Sequence, residues 1–383
     1  MFFNIGHVPM ENYPCHWHMG SFVVSTDQGW HHTTLGTAEI LYKGYADSAP
    51  LEHLLEQVLF QTEPLLTGNF CALVLVDDSI EIQTDRYRSF PMYVEHGVNN
   101  LIPTSRTIWT DSLITVHSDL SVTETKFDVI GAIDVSPLSW SEALDNVADI
   151  LDQKTTSFLK HNRFPLRVFL SGGVDSMLVY SFIRKHTNDF ELVKYSHVDY
   201  DYFWLKNSND ISRNWAYNQI HHWIDPCVLT SGTPGDEYML RSPATADLFL
   251  KYHGVKIADL LLQKKWSNCM QSNYFSKSKQ IDIFATQKSP GGSKQQLHWD
   301  LCNNVVNDWQ HWHLGQTLTW TPLRDLEIFK LMLRLSANEI VEQTMNSEFS
   351  IQLIERNCSG LSSALSCSKN NGNTLSNLIK VYE

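Results

Sequence analysis

Apolar residues in the first third of the chain fall in short runs that are either continuous or alternate with period two. Phe22-Val-Val-Ser-Thr26, Ala38-Glu-Ile-Leu-Tyr42, Cys71-Ala-Leu-Val-Leu-Val76 and Ser79-Ile-Glu-Ile-Gln83 are separated by turn formers such as Gly68-Asn69 and Asp77-Asp78. Runs of this kind, bounded in this way, predict β-strands. One stretch breaks the rhythm: over 50–60, Leu51, Leu54, Leu55 and Val58 share one face of a helix. Sheet with few helices predicts an α+β front domain over residues 1–130.

The pattern changes near Ser136. Ser139-Trp-Ser-Glu142 has the form of a capping box, and Leu144, Val147, Leu151 and Phe158 follow at helical spacing. Leu166-Arg-Val-Phe-Leu170 then reads as a buried strand and Ser171 to Ser176 as a glycine turn. Met177 to Lys185 reads as a helix and Phe190-Glu-Leu-Val-Lys-Tyr195 as a second strand. Strand, turn, helix and strand make a βαβ unit, which belongs to a parallel sheet. From Ala244 the chain reads as mostly helical, divided by the loop Ser289-Pro-Gly-Gly-Ser-Lys-Gln295. A second domain over 131–383 is therefore expected to be α/β with a helical C-terminal part.

Composition narrows function more than fold. At 43% hydrophobic and 19% charged the chain reads as globular, and its formal charge of −13 argues against gripping a nucleic-acid backbone. Seven scattered Cys with no Cys-x-x-Cys pair fit reduced thiols better than a disulfide framework. The start lacks a signal-peptide pattern and no apolar run approaches the about 18 residues of a membrane span, so a cytoplasmic protein without a membrane partner is expected. A homodimer stays open. Cys15-His16-Trp17-His18 and His311-Trp312-His313 place alternate histidines on one strand face, but further ligands at metal-site spacing are lacking. His221-His222-Trp223 reads as helix packing.

The segment with the most chemistry is Ser171-Gly172-Gly173-Val174-Asp175-Ser176. A turn from a parallel strand into a helix aims several backbone N–H groups at one spot, where the helix dipole also favours an anion. Two glycines allow close approach to phosphate oxygens, and the serine hydroxyls add donors. An aspartate in an anion-binding loop makes sense if it holds Mg²⁺ bridging the phosphates. The lysine of a Walker loop is absent, so transfer of the γ-phosphate is not the expected chemistry.

Ser-Gly-Gly-x-Asp-Ser after an apolar strand resembles the pyrophosphate loop of the N-type ATP pyrophosphatases, asparagine synthetase and its relatives above all. The resemblance implies an ATP pyrophosphatase fold for the second domain, with ATP and Mg²⁺ as cofactors. It also implies adenylation of a small carboxylate, followed by displacement of AMP by an amine or ammonia. Val228-Leu-Thr-Ser231-Gly232-Thr233-Pro234-Gly235-Asp236-Glu237 resembles the family's Ser-Gly-x-Gly-x-Asp-Glu loop. On that likeness Asp236 joins Asp175 as a Mg²⁺ ligand and takes part in catalysis. Leu170, Ser171, Gly172, Gly173, Ser176, Ser231 and Gly232 would surround the nucleotide phosphates. Thr319-Trp-Thr-Pro322-Leu323-Arg-Asp325 is similar to the family's Pro-Phe-Leu-Asp segment, with a following helix from Leu326 to Leu335. By position Lys369 corresponds to the family's charge-stabilising lysine.

Thr67-Gly-Asn-Phe70 and Thr84-Asp85-Arg86 to Pro91-Met-Tyr93 resemble strand patterns of class II glutaminase domains, which implies an Ntn-hydrolase-like sandwich for the front domain. The nucleophile of that class does not match: position 2 is Phe, the first Cys is Cys15, and Lys43-Gly44-Tyr45 stands where the family has Asn-Gly-Glu. A degenerate front domain without glutamine hydrolysis is expected. Thr233 stands where asparagine synthetase has a Glu thought to act as general base, which puts aspartate as the substrate in question. Two other readings are a 7-deazaguanine-type carboxylate as the acceptor and a non-catalytic nucleotide-binding scaffold.

Overall fold

The computed structural model describes residues 3–11, 13–59, 66–87, 93–96, 104–107, 112–127, 136–170, 173–194, 227–232, 235–241 and 317–361. Its N-terminal part is antiparallel sheet. Strands β1 (Phe3–Gly6), β2 (Cys15–Met19) and β3 (Phe22–Thr26) form a three-stranded sheet with β3 in the middle. Strands β4 (His31–Leu35), β5 (Ala38–Ala46), β6 (Gly68–Val76), β7 (Ser79–Thr84), β10 (Ser112–His117) and β11 (Val122–Lys126) form a six-stranded sheet in the order β11-β10-β7-β6-β5-β4. Between these, β8 (Tyr93–His96) and β9 (Thr104–Thr107) pair as a hairpin.

The period of two in the sequence becomes two buried faces on the larger sheet. Leu41, Leu73, Ile80 and Ile82 pack with Met19, Phe22, Val24 and Trp30 of the smaller sheet and its flank. Their neighbours Ile40, Phe70, Ala72 and Val74 pack on the other face against Leu51, Leu54, Leu55 and Val58. Burial on both sides explains why β6 reads as a continuous apolar run. Strands β5 and β6 approach so closely at Gly44, where φ is 111°, that a Cβ would lie 2.0 Å from the Asn69 carbonyl oxygen.

The helix expected over 50–60 is broken. A 3₁₀ turn over Leu51–His53 precedes α1 (Leu55–Leu59), and Phe60 lies outside the described residues. The Leu54 amide donates to the Leu51 carbonyl, a tighter pattern than an α-helix, yet all four apolar residues still reach the sheet.

The second half is built on a parallel four-stranded sheet with the order β13-β12-β14-β15. These strands are β12 (Leu166–Leu170), β13 (Glu191–Lys194), β14 (Cys227–Thr230) and β15 (Thr317–Trp320). Helix α2 (Trp140–His161) starts at the predicted capping box: Ser139 Oγ accepts from the Glu142 amide, and Glu142 returns a carboxylate to the Ser139 amide. Helix α3 (Val174–His186) follows β12 directly and begins earlier than the apolar spacing indicated. Helices α5 (Leu326–Met332), α6 (Ala337–Asn346) and α7 (Glu348–Asn357) close the core, after a short α4 (Gly235–Tyr238). The helix expected to reach Leu335 ends at Met332 and passes into a turn in which Leu333 and Leu335 remain buried. Residues 244–316, which hold the expected helices and the 289–295 loop, lie outside the described residues.

The two halves meet along β15 and its following turn. Asn69 Nδ2 donates to the Thr319 carbonyl at 3.0 Å and to its hydroxyl at 2.8 Å, and Tyr45 Oη donates to the same carbonyl at 2.7 Å. Phe158 stacks on Trp320 with centroids 4.0 Å apart. The fully buried Arg324 donates to the Tyr87 carbonyl, and its guanidinium lies 5.3 Å from the Tyr87 ring centroid. These contacts fix the last parallel strand against the antiparallel sheet, so both halves share one hydrogen-bonded seam. Among the described residues no helix is long and apolar enough to cross a membrane.

Candidate functional site

The sheet order reverses between β12 and β14. One connection leaves β12 toward β13, and the later strands add on the opposite side. In open parallel sheets such a reversal leaves a crevice beyond the carboxyl ends of the two strands, where ligands bind. The two sequence motifs are carried to this place, one at the end of β12 and one at the end of β14.

On the β12 side, Leu170 is the buried last strand residue, Gly173 is the N-cap of α3, and Asp175 and Ser176 lie in its first turn. Ser176 Oγ donates to the Gly173 carbonyl at 2.9 Å, which tightens the turn. On the β14 side, Ser231 and Gly232 are buried, the Gly235 amide donates to the Gly232 carbonyl at 2.7 Å, and α4 presents Asp236. Ser171, Gly172, Thr233 and Lys369 lie outside the described residues.

Two glycines make the approach of these loops feasible. A Cβ on Gly232 would lie 2.2 Å from the Ser176 nitrogen and 2.3 Å from the Asp175 carbonyl carbon. A Cβ on Gly235 would lie 2.5 Å from Asp175 Cγ and 2.7 Å from Leu323 Cδ1. Their role here is contact between loops.

The carboxylates of Asp175 and Asp236 converge on one guanidinium. Arg241 Nη1 donates to Asp175 Oδ2 and lies 3.2 Å from Asp236 Oδ1. The Asp175 and Arg241 side chains are each 15% exposed, whereas that of Asp236 is 51% exposed. Among the described residues, Asp175 Oδ1 is buried with no hydrogen-bond partner. Burial pushes the Asp175 carboxyl up to about 7; Arg241 opposes the shift and the nearby Asp236 adds to it. Burial alone would lower the Arg241 guanidinium, but Asp175 and Asp236 outweigh it and hold it above its ordinary value.

Arg241 was not legible in the sequence, because a lone arginine beyond an Asp-Glu pair carries no motif. Its place is set by the chain around it. Leu240 takes a left-handed φ of 52°, rare for a branched apolar residue, and turns the chain back toward Asp175. The buried side chains of α6 hold that turn: Gln343 Nε2 donates to the Met239 carbonyl at 2.9 Å, and Thr344 Oγ1 to the Leu240 carbonyl at 2.7 Å.

The raised Asp175 carboxyl has a consequence for stability. Between its ordinary 3.8 and about 7 the folded state holds a proton that the unfolded chain has released, so this residue's contribution falls as pH rises through that window. In metal-free buffer the melting temperature of Asp175→Asn is therefore expected to decline less than that of the wild type over the same range. Parallel melting curves would show that Asp175 ionises normally.

The remaining expected features divide. Cys15 sits inside β2, paired with Thr26 across the sheet. Lys43 is buried, and its ammonium donates to Asp27 Oδ2 at 3.0 Å and to the Gln28 carbonyl, while Trp30 Nε1 takes the other Asp27 oxygen at 2.7 Å. Asp325 caps α5 by accepting from the Glu327 and Ile328 amides and pairs with Lys154 at 2.9 Å, so its side chain serves the helix end. His16 donates to or accepts from Ser25 Oγ at 3.1 Å, and among the described residues no three His, Cys, Asp or Glu group as a metal site. His221, His222, His311 and His313 lie outside the described residues.

No protein-family model matches the chain, and no curated protein matches it. A solved structure does, weakly. It is the glutamine phosphoribosylpyrophosphate amidotransferase of B. subtilis complexed with ADP and GMP, 8% identical, with a TM-score of 0.21. The alignment covers 57% of this chain and 63% of that one, so this chain spans less than two thirds of the length of the protein it matches.

Proposed function

We propose that the chain is an ATP-dependent, AMP-forming ligase that joins a small carboxylic acid to ammonia or an amine. The observation that carries this reading is the convergence of Asp175 and Asp236 on one cation at the reversal point of a parallel sheet, beside the first turn of α3. The acceptor carboxylate oxygen attacks the α-phosphorus of ATP, the bond to the β-phosphate breaks and pyrophosphate leaves. The nitrogen nucleophile then attacks the acyl carbon, AMP departs and one amine proton is lost to a base. Thr233 offers no base there near neutral pH, so the proton goes to a different group or to solvent.

The residues fit a magnesium nucleotide. Mg²⁺ is commonly held by one or two carboxylates together with phosphate oxygens, and Asp175 Oδ1 is a buried acceptor without a partner among the described residues. Asp175 and Asp236 would hold the ion, which when bound neutralises charge on the leaving pyrophosphate. Amides of the β12–α3 turn, with Ser171, Gly172, Gly173 and Ser176, would bind the phosphates beside Leu170. Ser231 and Gly232 would line the opposite side, and Lys369 would stabilise charge as pyrophosphate leaves. On this reading the parallel-sheet half is an ATP pyrophosphatase domain acting in the cytoplasm. The front half is then a degenerate glutaminase-like sandwich, in which Lys43-Gly44-Tyr45 stands where the family has Asn-Gly-Glu and Lys43 is buried against Asp27.

One observation favours a second reading, a nucleotide-binding scaffold: Arg241 already occupies the position between the two carboxylates. Phosphorus NMR separates the two. Protein, Mg²⁺ and ATP are incubated with pooled carboxylic acids, a 7-carboxy-7-deazaguanine among them, and with ammonium, glutamine or glycine. AMP and pyrophosphate appearing together support the ligase. ADP and phosphate overturn adenylation, and bound ATP with no turnover in any pool favours the scaffold.

A further inference from the structure

Arg241 has three fixed contacts and a constrained backbone. Nη1 bonds Asp175 Oδ2 and lies 3.2 Å from Asp236 Oδ1, while Nε donates to Ser347 Oγ at 2.9 Å. Ser347 itself has a left-handed φ of 58° and forms the junction between α6 and α7. The preceding Leu240 is left-handed as well, and Gln343 and Thr344 clamp the carbonyls on either side of its amide. Gln343 is fixed in turn, since its Oε1 accepts from the Phe349 amide at 2.9 Å and its Nε2 donates to Ser350 Oγ at 2.9 Å. Backbone in sparsely populated regions persists where surrounding structure over-determines it, and such positions concentrate at functional sites. The guanidinium therefore sits between the carboxylates by construction. It holds the same two groups that a divalent ion would need, and a guanidinium also matches phosphate oxygens as a bidentate donor.

From this arrangement we propose that Arg241 is a phosphate-binding residue that exchanges partners. As placed between them it neutralises Asp175 and Asp236, and it passes to a phosphate oxygen when a magnesium-bound pyrophosphate or triphosphate brings a cation to replace it. The inference rests on the nucleotide reading above and adds an order to it. Mg²⁺ alone binds poorly because it must displace Arg241 without offering the arginine a new anion. Mg²⁺ arriving with pyrophosphate supplies both charges at once. Anchoring Nε to Ser347 keeps the guanidinium within reach of both partners.

Isothermal titration of the full chain with MgCl₂ alone, and then with pyrophosphate in saturating Mg²⁺, tests the exchange. Arg241→Gln is expected to bind Mg²⁺ alone about fivefold or more tightly than the wild type, and Mg²⁺–pyrophosphate about tenfold more weakly. The opposed signs are the signature. Its melting temperature should fall in EDTA and recover on adding Mg²⁺ by more than that of the wild type. Arg241→Lys keeps the charge and loses the planar fork, so its two affinities should fall between those of the wild type and Arg241→Gln. Ser347→Ala, which leaves the arginine in place, should move both affinities in the same senses by less. A fall in both affinities, or no change in either, would overturn the exchange and leave Arg241 as a strut. A wild-type protein that binds neither Mg²⁺–pyrophosphate nor MgATP would remove the nucleotide reading itself, and the exchange with it.

Discussion

Asp175→Ala is expected to abolish the appearance of AMP and pyrophosphate, lowering turnover at saturating ATP by on the order of 10²–10³-fold or more. The size follows from what the residue does in the proposed reaction. Charge develops on the leaving pyrophosphate as the α–β bond breaks, and preorganised groups in a partly dry site act there most strongly. Asp175 is the more enclosed of the two carboxylates and has a buried oxygen without a partner among the described residues. Asp236, half exposed, is open to water on one side, so Asp236→Ala should cost less than Asp175→Ala. Both variants should retain the far-ultraviolet circular dichroism of the wild type, because Asp175 and Asp236 lie in the first turns of α3 and α4, where alanine is readily accommodated. Phosphorus NMR on the active acid pool measures the loss directly. Unchanged AMP formation by folded Asp175→Ala would place the chemistry somewhere other than the ends of β12 and β14.

How far the sequence led depended on whether a feature is local. Strands β3, β5, β6 and β7 were visible because continuous or alternating apolar runs are written into adjacent residues, and α2 was visible because its capping box and apolar stripe are both local to its own segment. The break in the 50–60 helix was not visible: Leu51, Leu54, Leu55 and Val58 have helical spacing whether the chain is one helix or a 3₁₀ turn followed by a short one. The site split along the same line. The Asp175 and Asp236 loops announce themselves by glycines and carboxylates at fixed offsets, and the parallel sheet brings them together. Arg241 announces nothing, because its role depends on the left-handed Leu240 and on Gln343 and Thr344, about a hundred residues away along the chain. Likewise the buried pairing of Lys43 with Asp27 requires β5 to be folded against the segment after β3 before the lysine has a reason to be inside. Long-range polar contacts of this kind leave no periodic trace.

Gly232→Ala is expected to destabilise the protein by about 3 kcal/mol, at the upper end of what overpacking usually costs, and to lower the melting temperature by several degrees. The added methyl would meet the Ser176 nitrogen at 2.2 Å, the Asp175 carbonyl carbon at 2.3 Å and Asp175 Cβ at 2.6 Å. Two of these are backbone atoms in the first turn of α3, whose hydrogen bonds prevent it from moving aside alone. Relief must come from the β14 loop, which also carries Asp236 and leads to Arg241. The variant should therefore lose affinity for Mg²⁺–pyrophosphate even below its melting transition, since the two carboxylates are pushed apart. Gly6→Ala is the matched control: its nearest atom would be 3.7 Å away, an ordinary contact, and its melting temperature should be that of the wild type. If Gly232→Ala melts and binds like the wild type, the two loops do not touch, and a single cation cannot be shared between Asp175 and Asp236.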